Sequence, residues 1–185
     1  MTDDVLLDTK DKMEKTVQFL QQEMTGLRTG KANPALVDNI TVDYYGTPTR
    51  LRDIANISTP EPRLIVINPF DPSSLGLIEK AIVAANIGIT PMNDGRLIRV
   101  PIPELSEERR KDMVKMAGRI TEEQRVSVRN IRRDSNEQIK ALQKSGDITE
   151  DDRDAALDQI QKSTDAHIKK MDEMLTTKEK DIMEV

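Results

Sequence analysis

The sequence predicts an α+β protein of two domains, in which a small α/β domain is inserted into a long three-helix bundle. Apolar residues recur at helical spacing towards both ends of the chain. All nine prolines lie between positions 34 and 103, where the apolar period falls to two. Aromatic residues make up only 2% of the chain, so the core is aliphatic and rich in methionine, as in packed helices. We assign residues 1–30 and 105–185 to the bundle and residues 31–104 to the inserted domain.

Three long helices are predicted from apolar stripes and from residues that begin or end helices. The first stripe runs to Leu27, and Gly30 is a suitable residue to end that helix. Ser106 can cap a second helix of about 38 residues, which "SGD" at 145–147 interrupts. Thr149 and Asp152 match the capping box of a third helix. The stripe predicted for the second helix consists of Met113, Met116, Ile120, Val128, Ile131, Ile139 and Leu142.

The inserted domain is predicted to hold several strands and one helix. Apolar residues alternate around positions 40–44 and 98–102, and "LIVI" at 64–67 is typical of a buried strand. "YYG" at 44–46 is expected to end a strand and enter a turn. Asp71 can cap a helix that Gly88 closes. Because no helix of the bundle can bury its stripe alone, the three pack together and the inserted domain lies outside their core.

Charge is distributed unevenly along the chain, which carries 28 basic and 33 acidic residues in all. Residues 106–144 hold eleven basic and seven acidic residues, and "RVSVRNIRRD" at 125–134 contains four arginines. At about 100° per residue, these arginines share one side of the second helix, away from the apolar stripe, with Glu122 among them. Arginine grips phosphate at two points, so folded RNA is the expected partner. The alternative is a solvated face in which Arg125, Arg129 and Arg133 pair with acids of the third helix.

The residue inventory indicates a protein without enzymatic activity. The chain has no cysteine and no phosphate-binding glycine motif, and no metal or other cofactor is expected. His167, the only histidine, is expected at the boundary of the last apolar stripe. The N-terminal stretch does not match a secretory signal, and no apolar run approaches the roughly 20 residues of a membrane span, so the expected location is the cytoplasm. Two other readings remain open: a coiled-coil adaptor for protein partners, and an enzyme in the inserted domain, which would require a polar cluster there.

Three stretches resemble the bacterial ribosome recycling factor family: "LRTGKANPALVDNITVDYYGTPTRL", "DGRLIRVPIPELSEERRKDMVK" and "VSVRNIRRD". The resemblance implies an L-shaped protein with a triple-helix bundle as domain I and a β/α/β domain II, whose outline is similar to a transfer RNA. It implies that the protein acts with elongation factor G and GTP to split the post-termination ribosome into subunits, releasing mRNA and tRNA. Domain I would bind large-subunit rRNA and domain II would face elongation factor G.

The resemblance assigns rRNA contacts to Arg28 and to arginines of the second helix, the basic side of that helix adds Lys111, and the two places where the chain passes between the domains indicate a hinge. The predicted rRNA-binding residues are Arg28, Arg110, Lys111, Arg129, Arg132 and Arg133, and Arg132 ranks first among them. The predicted hinge consists of Gly30, Lys31, Pro103 and Glu104. The chain is expected to be a monomer, since three apolar stripes can satisfy one another.

Overall fold

The computed structural model describes residues 1–184, and the chain divides into two compact units. Unit 1 comprises Met1–Leu27 and the chain from Arg110 onward, and unit 2 comprises Arg28–Arg109. The inserted unit is therefore slightly longer at both ends than residues 31–104. In chain order the elements are α1 (Thr2–Gly26), β1 (Thr41–Tyr44), β2 (Thr47–Arg50), α2 (Leu51–Ile54), β3 (Ala55–Glu61), β4 (Leu64–Pro69), α3 (Leu75–Ala84), β5 (Met92–Asn93), β6 (Ile98–Pro101), α4 (Glu107–Ser145) and α5 (Glu150–Met183).

Unit 1 is a three-helix bundle, as the sequence predicts. Its main core joins side chains of all three helices, including Leu20 of α1, Val128 of α4 and Met171 of α5, each of which is fully buried. A second cluster around Ile139 and Ile160 continues this core. Burying one fully apolar side chain of this size contributes about 1.5–3 kcal/mol, so the stripes hold the bundle together.

The stripe predicted for α4 is wrong at one position and incomplete at others. Met116 is exposed, whereas Ala117 and Thr121 are fully buried. Small side chains let neighbouring helices approach closely. The buried hydroxyl of Thr121 donates a hydrogen bond to the carbonyl oxygen of Ala117 at 2.8 Å. The core also contains a polar contact, because the hydroxyl oxygens of Thr9 and Ser135 lie 2.6 Å apart.

The helix ends follow the predicted chemistry in α4 and α5 but not in α1 and α3. The capping box of Thr149 and Asp152 is confirmed, and Gly146, at φ +83°, follows the last residue of α4. The assignment of Gly30 as the end of α1 is wrong: the helix ends at Gly26, and the backbone is already extended at Leu27. Gly88 likewise does not close α3, which ends at Ala84.

Unit 2 contains two antiparallel sheets and a covering helix. β1 and β2 form a hairpin, and β3, β4, β6 and β5 form a four-stranded sheet in that order. "LIVI" lies in β4 as expected, with Ile65 and Ile67 fully buried and their neighbours half-buried. Asp71 caps a single 3-10 turn, Pro72–Ser74, that leads directly into α3. The short helix α2 was not predicted.

None of the helices formed by residues 1–184 has both the length and the apolar character needed to cross a bilayer.

Candidate nucleic-acid interface

α4 holds five of the six predicted rRNA-binding residues, and its length spreads them along the bundle. Arg110 and Arg133 are separated by 23 positions, which at 1.5 Å per residue is roughly 35 Å. Arg125, Arg129, Arg132 and Arg133 follow the i, i+4, i+7, i+8 spacing of one helix face. The structure therefore places these basic groups in a line, and their individual contacts distinguish them.

Arg125 is a structural residue that ties α4 to α5. Its Nε and Nη2 donate to Oδ1 of Asp172 at 2.8 and 2.5 Å, and its Nη1 donates to Oε2 of Glu122 at 3.0 Å. Only 21% of the side chain is exposed. The alternative reading of the basic face is confirmed for this arginine, since it pairs with an acid of the last helix.

Arg129 contacts an acid of its own helix. Its Nη1 donates to Oε1 of Glu122 at 2.9 Å, and its side chain is 44% exposed. The hydrogen bond from Arg129, followed by that from Arg125, holds the pKa of Glu122 below its ordinary value. Glu122 is thus a carboxylate shared by two guanidinium groups. Water screens exposed pairs of this kind strongly, so Arg129 can exchange Glu122 for another anion at small cost.

Arg132 and Arg133 have no anionic partner within residues 1–184. Nη1 of Arg132 lies 3.3 Å from the neutral amide oxygen of Gln161, which is a long bond. The amide nitrogen of Gln161 in turn donates to Asp165 at 2.9 Å. Arg133 is exposed, and no side chain or backbone group in the described part of the chain pairs with its guanidinium. These two arginines are the most available anion-binding groups in the central cluster.

The other predicted binding residues lie in different environments. Arg110 is half-buried and donates to the carbonyl oxygen of Met183 at 3.3 Å, while Lys111 beside it is exposed. Arg28 belongs to unit 2, not to the α4 face. Its guanidinium lies against Gly88, where a Cβ atom would come within 3.0 Å of Nη1. The glycine thus makes room for Arg28 instead of ending a helix.

All four predicted hinge residues lie inside unit 2. Gly30 has φ +77° and is followed by a backbone bond from Ala32 to the carbonyl oxygen of Pro62, at 2.6 Å. In the segment after β6, Ile102 donates to the carbonyl oxygen of Arg63 at 2.8 Å, and Glu104 pairs with the Arg63 guanidinium. The segments after Gly30 and after β6 are therefore both bonded to the turn at Pro62 and Arg63. The hinge stays a prediction.

The prediction for His167 is wrong, because the side chain is only 5% exposed and not at a boundary. Its Nδ1 lies 2.6 Å from the carbonyl oxygen of Ser163, one helical turn earlier. The ring is therefore held by its own helix within the bundle. Across residues 1–184, no group of three acidic or histidine side chains is arranged to hold a metal ion.

Comparison with known proteins defines the class of this chain. The family model described as ribosome recycling factor matches residues 20–183. The ribosome-recycling factors of Syntrophomonas wolfei and Bacillus subtilis are 52% and 49% identical over 185 residues, and each alignment covers 100% of both chains. These matches indicate a translation factor that is not an enzyme.

Solved structures agree with these matches. A solution structure of the ribosome recycling factor is similar to the whole chain, with a TM-score of 0.82, 39% identity and 98% of that structure covered. A second structure presents the T. thermophilus ribosome recycling factor and the E. coli elongation factor G bound to the E. coli post-termination complex. It has a TM-score of 0.69 and 39% identity, with both chains fully covered. The chain belongs to the ribosome recycling factor family, which confirms the resemblance in the sequence and the α+β two-domain fold.

Proposed function

We propose that this chain binds the post-termination ribosome and, with elongation factor G and GTP, splits it into subunits, so that mRNA and tRNA are released. The observation that carries this proposal is the full-length similarity to ribosome recycling factors, one of them described in a post-termination complex with elongation factor G. The chain contains no phosphate-binding glycine motif, so the energy for splitting comes from the GTPase partner. The site of action is the cytoplasm, and the chain acts as a monomer.

The α4 face supports rRNA as the binding target of unit 1. Arg133 is open to solvent, Arg132 has only a weak neutral partner, and Arg129 shares one exposed carboxylate. Phosphates of folded RNA would supply these guanidinium groups with stronger, two-point hydrogen bonds. Arg110 and Lys111 extend the interface along α4, and Arg28 adds a contact from unit 2. The net charge of −5 limits unspecific adhesion of the chain to nucleic acid.

Unit 2 is the part that faces elongation factor G. Gly30, Lys31, Pro103 and Glu104 form the hinge through which the GTPase displaces unit 2 relative to the bundle. α4, an uninterrupted helix of 39 residues, would transmit that displacement along the bundle. Spin labels placed on α4 and on α3 test the hinge, since their distance distribution should change between the free and the ribosome-bound protein.

A subunit-splitting assay with and without elongation factor G and GTP tests the proposal, comparing the wild type with Arg132→Gln. Glutamine keeps the helix propensity that glycine would lose, about 1 kcal/mol, so the substitution removes mainly charge. We expect the variant to remain folded and to bind ribosomes about tenfold more weakly, because its side chain can no longer form a charged hydrogen bond with phosphate. The matched control is Lys162→Gln, an exposed α5 cation paired with Asp158, which should bind normally.

The salt dependence of ribosome binding distinguishes rRNA from a protein target. Removing one arginine that pairs with a phosphate should reduce the slope of log affinity against log salt by about one. An interaction insensitive to salt would favour the helical-bundle adaptor. Melting of Arg132→Gln at a clearly lower temperature would mean that Arg132 is structural. Failure of the wild type to split ribosomes with elongation factor G and GTP would refute the proposed function.

A further inference from the structure

Three of the four aromatic residues of the chain lie in two segments of unit 2 that hydrogen bonds join. Tyr44 ends β1, Tyr45 follows it in the hairpin turn, and Phe70 precedes Asp71, whose carboxylate contacts both tyrosines. We call these three residues the aromatic turn. A chain with so few aromatics would be expected to bury them, because they supply large apolar area to a core.

Two residues of the aromatic turn are instead exposed to solvent, while Tyr44 is half-buried and packs against the core of unit 2. Tyr45 is 68% and Phe70 is 70% exposed, which places both among the most exposed large apolar residues of the chain. Tyr45 and Phe70 take no part in the core of unit 2, which includes aliphatic residues of β1, β4, β6 and α3. The stability of unit 2 therefore does not explain these two rings.

The backbone of Tyr45 is also unusual for its residue type. Tyr45 has φ +49° and Gly46 has φ +81°, and together they form the two-residue loop between paired Tyr44 and Thr47. Asparagine, aspartate and glycine are favoured in such a loop, because other side chains crowd the backbone at positive φ. Asparagine would suit this backbone conformation better than tyrosine does.

Hydrogen bonds fix the orientation of the tyrosine rings. The hydroxyl of Tyr45 donates to Oδ2 of Asp71 at 3.0 Å and lies 2.7 Å from Oγ of Ser73, while the hydroxyl of Tyr44 donates to the same Oδ2 at 3.3 Å. The two rings meet edge to face, with centroids 4.7 Å apart. Hydrogen bonds from Ser73 and then Tyr45 lower the pKa of Asp71, which stays ionised at neutral pH. The result is an exposed Tyr45 ring whose orientation is fixed by the half-buried Tyr44 ring and by the Asp71 carboxylate.

We propose that the aromatic turn is a docking surface for a protein partner that presents an arginine or lysine beside apolar side chains. Exposed, preoriented tyrosine and phenylalanine rings are typical anchors of protein interfaces, because little conformational entropy is lost when they bind. The inference rests on the proposed function, in which the protein that faces unit 2 is elongation factor G.

The local charge favours a cationic protein surface over nucleic acid. Segments 43–48 and 68–74 contribute two aspartates, Asp43 and Asp71, and no lysine or arginine. A guanidinium or ammonium group can pair with Asp71 and lie over a tyrosine face. Surfaces that stack single-stranded bases combine aromatic rings with a positively charged groove, whereas the carboxylate of Asp71 would repel a phosphate.

The test is the concentration of elongation factor G that gives half-maximal subunit splitting in the presence of GTP. Tyr45→Asn removes the ring and its exposed hydrogen bonds to Asp71 and Ser73, but asparagine suits the backbone of the turn, so the thermal midpoint should stay close to that of the wild type. We expect this variant and Phe70→Ser each to require about tenfold more elongation factor G, the effect of losing an interface anchor. Met92→Ala is the matched control, since Met92 is 59% exposed in the same unit but lies outside the aromatic turn. This variant should require the same concentration of elongation factor G as the wild type.

Each remaining outcome counts against the inference. An unchanged requirement for elongation factor G in both variants would show that the rings do not dock the partner. A loss of ribosome binding by Tyr45→Asn without elongation factor G, with a smaller salt slope, would indicate a nucleic-acid contact instead. If only this inference fails, the wild type will split ribosomes and the variants will require the same concentration of elongation factor G as the wild type. If the proposed function fails, the wild type itself will be inactive.

Discussion

The basic face of α4 and the aromatic turn of unit 2 use different means to present functional groups. On α4, arginines repeat along a rigid helix, and ion pairs decide which of them are available. In the aromatic turn, a backbone at positive φ and one carboxylate hold the Tyr45 ring in an exposed position. The first surface suits a long anion whose binding weakens with salt, and the second suits a compact contact with a protein. In the two proposals, the two units of one small protein therefore bind chemically different partners.

The largest expected effect tests whether the two units have independent cores, on which the comparison depends. Leu20 and Ile78 are both fully buried, in the bundle and in unit 2 respectively. Replacing either with alanine should lower the free energy of unfolding by about 2–5 kcal/mol. We expect Leu20→Ala to speed amide hydrogen exchange mainly in unit 1, and Ile78→Ala mainly in unit 2.

Leu7→Ala is the matched control for these core substitutions, because Leu7 is 71% exposed. Its effect should stay within about 0.5 kcal/mol. Equal acceleration of exchange throughout the chain by either core variant would show that the two units unfold as one.

A smaller effect is expected on ribosome binding when an arginine of α4 loses its acidic partner. Glu122→Gln removes the carboxylate shared by Arg125 and Arg129, which frees Arg129 for phosphate while Asp172 still holds Arg125. We expect ribosome binding to tighten by a factor of about 2–5, the equivalent of an exposed ion pair. Affinity measurements at several salt concentrations check this. Weaker binding would mean that Glu122 positions Arg129 for its partner.

The smallest effect concerns pH and the start of α5. Hydrogen bonds from the side chain and then the backbone of Thr149 hold the pKa of Asp152 below its ordinary value of 3.8. Because the folded-state pKa is depressed, this contribution to stability is present above pH 3.8 and is lost as the pH falls through the folded value. Thr149→Ala should therefore destabilise the protein more at pH 7 than at pH 3 in urea unfolding.

The valine variant Thr149→Val serves as a second test of the cap, since it keeps the branched shape and removes the hydroxyl. It should behave like Thr149→Ala. A stability difference from the wild type that does not depend on pH would show that the Asp152 carboxylate takes no part in the cap.

Local sequence signals were sufficient for most elements of the fold. The return of the helical period after Pro103, the break at Gly146 and the capping box of Thr149 each depend on neighbouring residues alone, and the structure contains α4 and α5 as predicted. The same signals failed at Gly30 and Gly88, where a glycine with positive φ serves a loop and not a helix end. A glycine indicates that the backbone is free to turn, but not which element the turn follows.

The sequence by itself determined that the arginines of α4 share one face, since helical periodicity alone sets their angles. It did not decide which of them are available for a partner, because Asp172 and Gln161 come from α5 and meet α4 only in the packed bundle. The burial of His167 and the contact between Thr9 and Ser135 also required the bundle. Side-chain direction follows from local geometry, whereas pairing between helices depends on the register and rotation that close packing of the whole core imposes.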